Sequence, residues 1–302
     1  VEQTGFYLQD LIEMDKWRFS LGLRQDWVQT SDENRVAETN RPAGTEIGDK
    51  RTKLTGRAGA LYLFDSGLAP YVSYSESFNP NSYSDSAGTP LAPTDGTQWE
   101  VGLKYQPPGT ENLFTASWFR IDQENLATKL PQENFYRGVG AVRSQGLELE
   151  AHMQLTDNLK LLGSYTFTDI EYSKSMVSTL STADNLIENK GNSPTQAPRH
   201  MASIWADYKF EIGALDGLRL GGGVRYVGYS WADAENTMKV PSYTLYDASV
   251  GYDLGKVGLK GVDVRLNANN LTNETYVASC ASLNFCYLGE KRNLSATVSY
   301  QF

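Results

Sequence analysis

The stretch Arg292–Phe302 reads RNLSATVSYQF and decides the fold. Leu294, Ala296, Val298, Tyr300 and Phe302 fall on one parity, and Asn293, Ser295, Thr297, Ser299 and Gln301 on the other. A period of two describes an extended strand with one apolar and one polar face. A soluble sheet can do this once. Repeated strand after strand, it describes a transmembrane β-barrel, apolar toward lipid and polar toward the lumen.

The pattern does repeat. Trp17, Phe19, Leu21 and Leu23 oppose Arg18, Ser20, Gly22 and Arg24; Leu147, Leu149, Ala151 and Met153 oppose Glu148, Glu150 and His152. Ala202, Ile204, Ala206, Tyr208 and Phe210 oppose Ser203, Asp207 and Lys209; Val262, Val264, Leu266 and Ala268 oppose Asp263, Arg265, Asn267 and Asn269. Thirteen strand-like segments are predicted, at 4–12, 15–27, 49–63, 67–79, 97–107, 112–129, 139–153, 158–172, 197–212, 216–230, 241–254, 262–276 and 289–302. Many exceed the usual soluble length of about 5–6 residues, which favours a tilted barrel wall over a sandwich.

The connections alternate in length. Short turns are expected at Glu13–Lys16, Asp65–Gly67, Pro107–Glu111, Thr156–Asn158 and Gly213–Gly217, and a Gly- and Lys-bearing one at 255–261. Long connections are expected at 28–48, 80–96, 173–196, 231–240 and 277–288, with a medium one near 130–138. Bacterial barrels keep short turns in the periplasm and long loops outside. The first and last strands then both descend from the outer face. An odd strand count differs from the even count of single-chain bacterial barrels, so all of residues 1–302 read as the carboxyl-terminal part of a larger barrel. Two sheet edges open to lipid would not be viable.

Composition bounds the function. With 302 residues, low mean hydropathy and no apolar run near the roughly 18 residues of a membrane helix, a helical membrane protein is excluded. The content of 18 Tyr, 6 Trp, 11 Phe and 27 Gly suits β structure with aromatic girdles, and a Tyr- and Gly-rich soluble sandwich or propeller would look similar. A net charge of −9 argues against nucleic acid as a partner. The sequence opens at Val1 without a basic and apolar leader, as a mature protein or a fragment would. Cys280 and Cys286, the only cysteines, suggest a small disulfide shaping a loop tip in an oxidising compartment; two free thiols are the alternative.

Catalytic signatures are absent: there is no HExxH, GxSxG or CxxC. His152 and His200 read as structural, and Glu148 and Glu150 as solvated lumen charges rather than an acid–base pair. Gly221–Gly223 lies within a strand, so it relieves crowding in the wall rather than cradling phosphate.

Several stretches resemble TonB-dependent outer-membrane receptors: SYSESF at 73–78, QWEVGLKY at 98–105, RSQGLELE at 143–150, and Asn269–Asn270–Leu271 followed by Glu274 and Tyr276. GNSPTQAPRHMASIWADYKF at 191–210, YVASC at 276–280 with Cys286 after it, and Gly289–Arg292 resemble the hydroxamate-siderophore branch, the ferrichrome-type receptors. The resemblance implies a 22-stranded barrel closed by an amino-terminal plug, with about nine strands and the whole plug outside this chain. It implies a bacterial outer-membrane location and energy-coupled import of a ferric siderophore of the ferrichrome or ferrioxamine class. Iron would arrive already chelated, so neither a cofactor nor protein ligands to a metal are expected. TonB would be contacted through the absent plug. Lipid and lipopolysaccharide would surround the wall, and phages or colicins would use the outer loops. The resemblance also implies an aromatic after the first loop cysteine as part of the ligand site. Here that position is Ala281. Phe285 and Tyr287 in the same loop, and Tyr229 and Trp231 at an outer strand end, are the candidate ligand-binding residues, suited to a neutral, organic-shelled complex. The same rings would serve equally in an interfacial girdle or loop packing. The alternatives are a receptor for another siderophore or metal chelate, and a passive porin.

Overall fold

A computed structural model describes residues 1–33, 44, 46–128, 135–174 and 189–302. The strands are β1 (Glu2–Met14), β2 (Trp17–Glu33), β3 (Glu46–Tyr62), β4 (Leu68–Asn79), β5 (Thr94–Tyr105) and β6 (Leu113–Thr128). They continue as β7 (Arg137–Gln154), β8 (Leu159–Lys174), β9 (His200–Lys209), β10 (Leu218–Val227), β11 (Ser230–Trp231) and β12 (Lys239–Val240). The last are β13 (Tyr243–Asp253), β14 (Val262–Asn269), β15 (Val277–Ser282), β16 (Phe285–Leu288) and β17 (Asn293–Tyr300). Thirteen form one antiparallel sheet in the order β1 to β10, β13, β14, β17. The remaining four form two separate hairpins, β11–β12 and β15–β16.

The register fixes the two faces. Asp263, Arg265 and Asn267 pair with Ser299, Thr297 and Ser295, while Val264, Leu266 and Ala268 pair with Val298, Ala296 and Leu294. The apolar set stays in line across the sheet, through Tyr246, Val250, Leu220, Ile204, Leu149, Trp118, Val101, Leu21 and Leu8, all exposed. So long an exposed apolar face is stable only in lipid.

Aromatic rings mark both edges of that band. At the short-turn end Trp17 packs on Tyr62 at 4.9 Å, Tyr62 on Phe64 at 4.7 Å, and Tyr208 on Phe210 at 4.8 Å. Midway along β4 and β5 Tyr74 meets Trp99 at 4.8 Å. Trp17 and Trp27 lie on the same face of β2, ten residue steps apart, which in a tilted strand rise about 25 Å, the height of an outer-membrane apolar band.

The short turns are tied to one another. Lys16 Nζ donates to Asp65 at 2.5 Å, and Lys256 lies 3.0 Å from Asp216. The 255–261 connection contains a short 3-10 helix, Leu254–Val257, capped by the Asp253 carboxylate accepting from the Gly255 N–H.

The lumen face carries the charge. Arg24 donates from Nε and Nη2 to Asp26, a residue only 2% exposed that also accepts from Gln3. Glu148 and Glu150 share this face, paired with Thr166 and Ser164. His200 shares a 2.9 Å hydrogen bond with the Tyr165 hydroxyl. Trp205 lies flat over Gly221 and Gly223: a Cβ on either would stand 2.5 Å from its ring. A Cβ on Gly222 would find its nearest neighbour at 3.9 Å, so the crowding is confined to the lumen side.

Several boundaries differ from the expected ones: β2 runs on to Glu33 past the expected end at 27, and β10 stops at Val227, with Ser230 passing to a hairpin. The strand predicted at 262–276 stops at Asn269, because Asn270 adopts φ 50° and its side chain brackets a turn. Its Nδ2 donates to the Glu274 and Glu290 carbonyls, and its Oδ1 accepts from the Glu274 N–H. The connections expected at 231–240 and 277–288 contain the two hairpins. Much of the connections expected at 28–48, 130–138 and 173–196 lies outside the described residues. β1 and β17 are the sheet's edges, and every residue of both is exposed.

Candidate functional site

The outer end of the sheet between β8 and β17 supports a small folded cap. It consists of the two hairpins and the segment before β9. Asn236, at φ 60°, joins two of them: its Oδ1 accepts from the Ser193 N–H and its Nδ2 donates to the Ser193 carbonyl, both at 2.8 Å. Asn192 Nδ2 donates to the Ala234 carbonyl at 3.0 Å, and Thr195 bridges to Trp231. Asp233 closes the β11–β12 turn. Its carboxylate accepts from the Thr237 N–H and hydroxyl, each at 2.8 Å, and from the Met238 N–H at 2.9 Å. Burial pushes this carboxyl upward, but the hydrogen bonds from Thr237, Met238 and Asn236 outweigh it and hold its pKa below the ordinary value.

The two hairpins share a core. Ser230 pairs with Val240 and Trp231 with Lys239, so alternate residues point to opposite sides. Ala232, Val240 and Cys280 are buried together with Val277 against them. Cys280 and Cys286 form the disulfide, directly opposite each other across β15–β16. The bridge therefore pins one hairpin and places a half-cystine in the contact with the other.

The four candidate ring residues form two pairs, one on each hairpin. Tyr229 and Trp231 meet edge to face at 5.9 Å, and Phe285 and Tyr287 at 5.1 Å. Phe285 is 57% exposed and Tyr287 48%, while Tyr229 and Trp231 are half-buried. Ala281 is exposed on β15. Lys239 was not foreseen: its Nζ stands 4.0 Å from the Tyr229 ring centre and 5.0 Å from that of Trp231. Only the cross-strand register reveals it, since nothing in a polar loop distinguishes one lysine.

A second group lies nearby on the lumen wall. Asp247 holds Arg225 by Nε at 2.5 Å and Nη2 at 3.0 Å, and accepts from the Asn270 N–H. Tyr243 and Tyr276, whose rings pack at 4.2 Å, are close enough to feel the Arg225 charge. Among the described residues no group of three or more His, Cys, Asp and Glu side chains is arranged to hold a metal ion.

A lipid-facing apolar band with aromatic borders, a charged lumen face and a disulfide-braced aromatic cap define the wall of an outer-membrane β-barrel with a folded outer cap. Comparison with known proteins makes the class specific. Residues 1–271 match the family described as TonB dependent receptor-like, beta-barrel. The whole chain is 44% identical to the ferrioxamine B receptor of Salmonella typhimurium, covering 41% of that protein. It is 42% identical to the ferrichrome outer membrane transporter/phage receptor of Escherichia coli, covering 38%. Among solved structures, the siderophore receptor PiuA from Acinetobacter baumannii superposes with a TM-score of 0.81 at 27% identity, over 99% of this chain and 43% of that one. The chain belongs to the TonB-dependent receptor β-barrel family, whose members reside in the bacterial outer membrane. It spans about two fifths of the length of the curated relatives it matches.

Proposed function

We propose that residues 1–302 form one wall segment of a larger closed receptor barrel that binds and imports a ferric hydroxamate siderophore. The observation that carries this is likeness along the entire chain, at 41–44% identity, to proteins named as ferrioxamine and ferrichrome receptors. The two exposed edges support the larger barrel, since unpaired backbone in lipid costs several kcal/mol per group.

The site's chemistry agrees. A ferric trihydroxamate hides its metal inside an organic shell, so recognition needs area and a few hydrogen bonds rather than metal ligands. Phe285, Tyr287, Tyr229 and Trp231 would offer ring faces, edges and two phenol hydroxyls. Arg225, its guanidinium fixed by Asp247, would offer its remaining donors to hydroxamate oxygens. Iron is cargo and stays chelated, so the protein performs no covalent chemistry. Capture at the outer cap would precede rearrangement of a plug once TonB engages it. Lipid and lipopolysaccharide would surround the wall, and a phage or colicin would use the same outer surface.

The test is equilibrium binding by the full-length receptor, with ferrichrome, a ferrioxamine and a ferric catecholate compared by intrinsic fluorescence, and iron uptake measured with and without TonB. Tight binding of a hydroxamate with TonB-dependent uptake is expected. Tight catecholate binding alone would overturn the substrate class, and uptake independent of TonB would overturn the transport mechanism. A large steady conductance in planar bilayers would instead support a passive porin.

A further inference from the structure

From the placement of Lys239 we infer that Tyr229 and Trp231 form a cradle for an alkylammonium group, occupied by the protein's own lysine until a ligand bearing such a group displaces it. This rests on the siderophore reading above and refines its substrate class to chelates with a pendant primary amine.

Three observations carry it. First, the two rings stand nearly perpendicular, 84° apart, and the Lys239 Nζ lies within reach of both faces at 4.0 and 5.0 Å. Two rings sharing one cation form the geometry of an aromatic cation cage. Second, Lys239 is exposed, and among the described residues no carboxylate pairs with it. Its ammonium is held by the rings and not locked by an ion pair, so displacing it costs no more than that ring contact. Third, the turn between the cradle's two strands carries Asp233 and Glu235. Asp233 is fully engaged in holding the turn. Both carboxylate oxygens of Glu235 are buried without a hydrogen-bond partner among the described residues. An uncompensated carboxylate in the turn that joins the cradle's two strands adds negative potential at that end of the hairpin, which favours cations.

Lys239 is itself a primary alkylammonium on a flexible stem, the same chemistry as an amine-terminated linear hydroxamate. A ligand ammonium enters only while Lys239 is away, so the lysine lowers the apparent affinity by the fraction of time the cradle is free.

The experiment uses the full-length receptor and two probes: ferrioxamine B, a linear trihydroxamate complex ending in a primary amine, and its N-acetylated derivative. In Lys239→Met the amine form should bind more tightly than the acetylated form by roughly two- to thirtyfold, the range of a two-ring cation contact from exposed to desolvated, and in the unmodified receptor by less, because Lys239 gives up its own contact. Trp231→Leu should abolish that difference, bringing the two complexes to equal affinity whatever it costs their common binding. Tyr229→Phe, which keeps the ring, should retain it. Lys239→Met, which keeps the stem and removes the charge, should widen it. Equal affinities in the unmodified receptor would overturn the cradle while the siderophore reading stands, and so would weaker binding of the amine form to Lys239→Met. Binding of neither complex would overturn the cradle, and failure of ferrichrome to bind as well would overturn the siderophore reading with it.

Discussion

Replacing Asp233 by asparagine should loosen the outer cap without touching the wall. The carboxylate is 5% exposed and receives three hydrogen bonds, from the Thr237 N–H, the Thr237 hydroxyl and the Met238 N–H. An asparagine keeps one carbonyl oxygen, enough for the Thr237 N–H. Its amide group then faces the Met238 N–H, donor against donor, while the Thr237 hydroxyl can rotate to accept. One buried N–H loses its partner, a cost of about 1–3 kcal/mol. That raises local opening roughly 5- to 150-fold. Hydrogen exchange on the full-length receptor, read at peptides covering 229–240, measures it directly. Exchange should also quicken, by less, at 277–288, because Ala232 and Val240 pack on Cys280. Peptides from β6 and β7 should be unchanged. The pH dependence has a definite sign. The folded pKa of Asp233 is lowered, so its contribution is complete above the unfolded value near ~3.9 and is lost as pH falls through the lower folded value. The unmodified cap should therefore keep its protection from pH 7 to 5 and lose it only below about pH 4. Unchanged exchange at 229–240 in Asp233→Asn, or loosening of the unmodified cap between pH 7 and 5, would refute this account.

Other substitutions probe the wall and the bridge. Gly223→Ala should destabilise the receptor by about 1–3 kcal/mol through overpacking against Trp205, and Gly222→Ala should not; urea midpoints in lipid distinguish them. Leu266→Arg on the lipid face should cost about 2–4 kcal/mol, whereas Asn267→Arg on the lumen face should cost far less in the same titration. Replacing both cysteines with alanine should remove about 2 kcal/mol from the β15–β16 hairpin, given its sequence separation of 6, and hydrogen exchange should quicken there and not in β17.

The wall was legible because lipid and lumen impose opposite demands on alternate residues, and long strands repeat that contrast many times. The end of β14 was not. Asn269–Asn270–Leu271 continues a plausible pattern, and only the φ of Asn270 with its bracket on Glu274 reveals the stop. β11 and β12 have two residues each, too few for any period to register. The disulfide and the four rings could be named from residue type and position. Lys239 could not, since its meaning depends on standing opposite Trp231. Asp233 was missed for a related reason: an acidic residue in a polar turn looks solvated until its three donors are seen.

The order of the sheet has a consequence for how such walls change over time. Every strand of the thirteen lies beside the next wall strand in the chain. A hairpin with its turn is therefore one continuous stretch of gene. Its duplication or deletion would alter the circumference by two strands, and every other strand end would still open to the same compartment. A loop insertion such as the β11–β12 hairpin enlarges the outer surface without rethreading anything. The architecture lets pore width and recognition surface vary as separate traits.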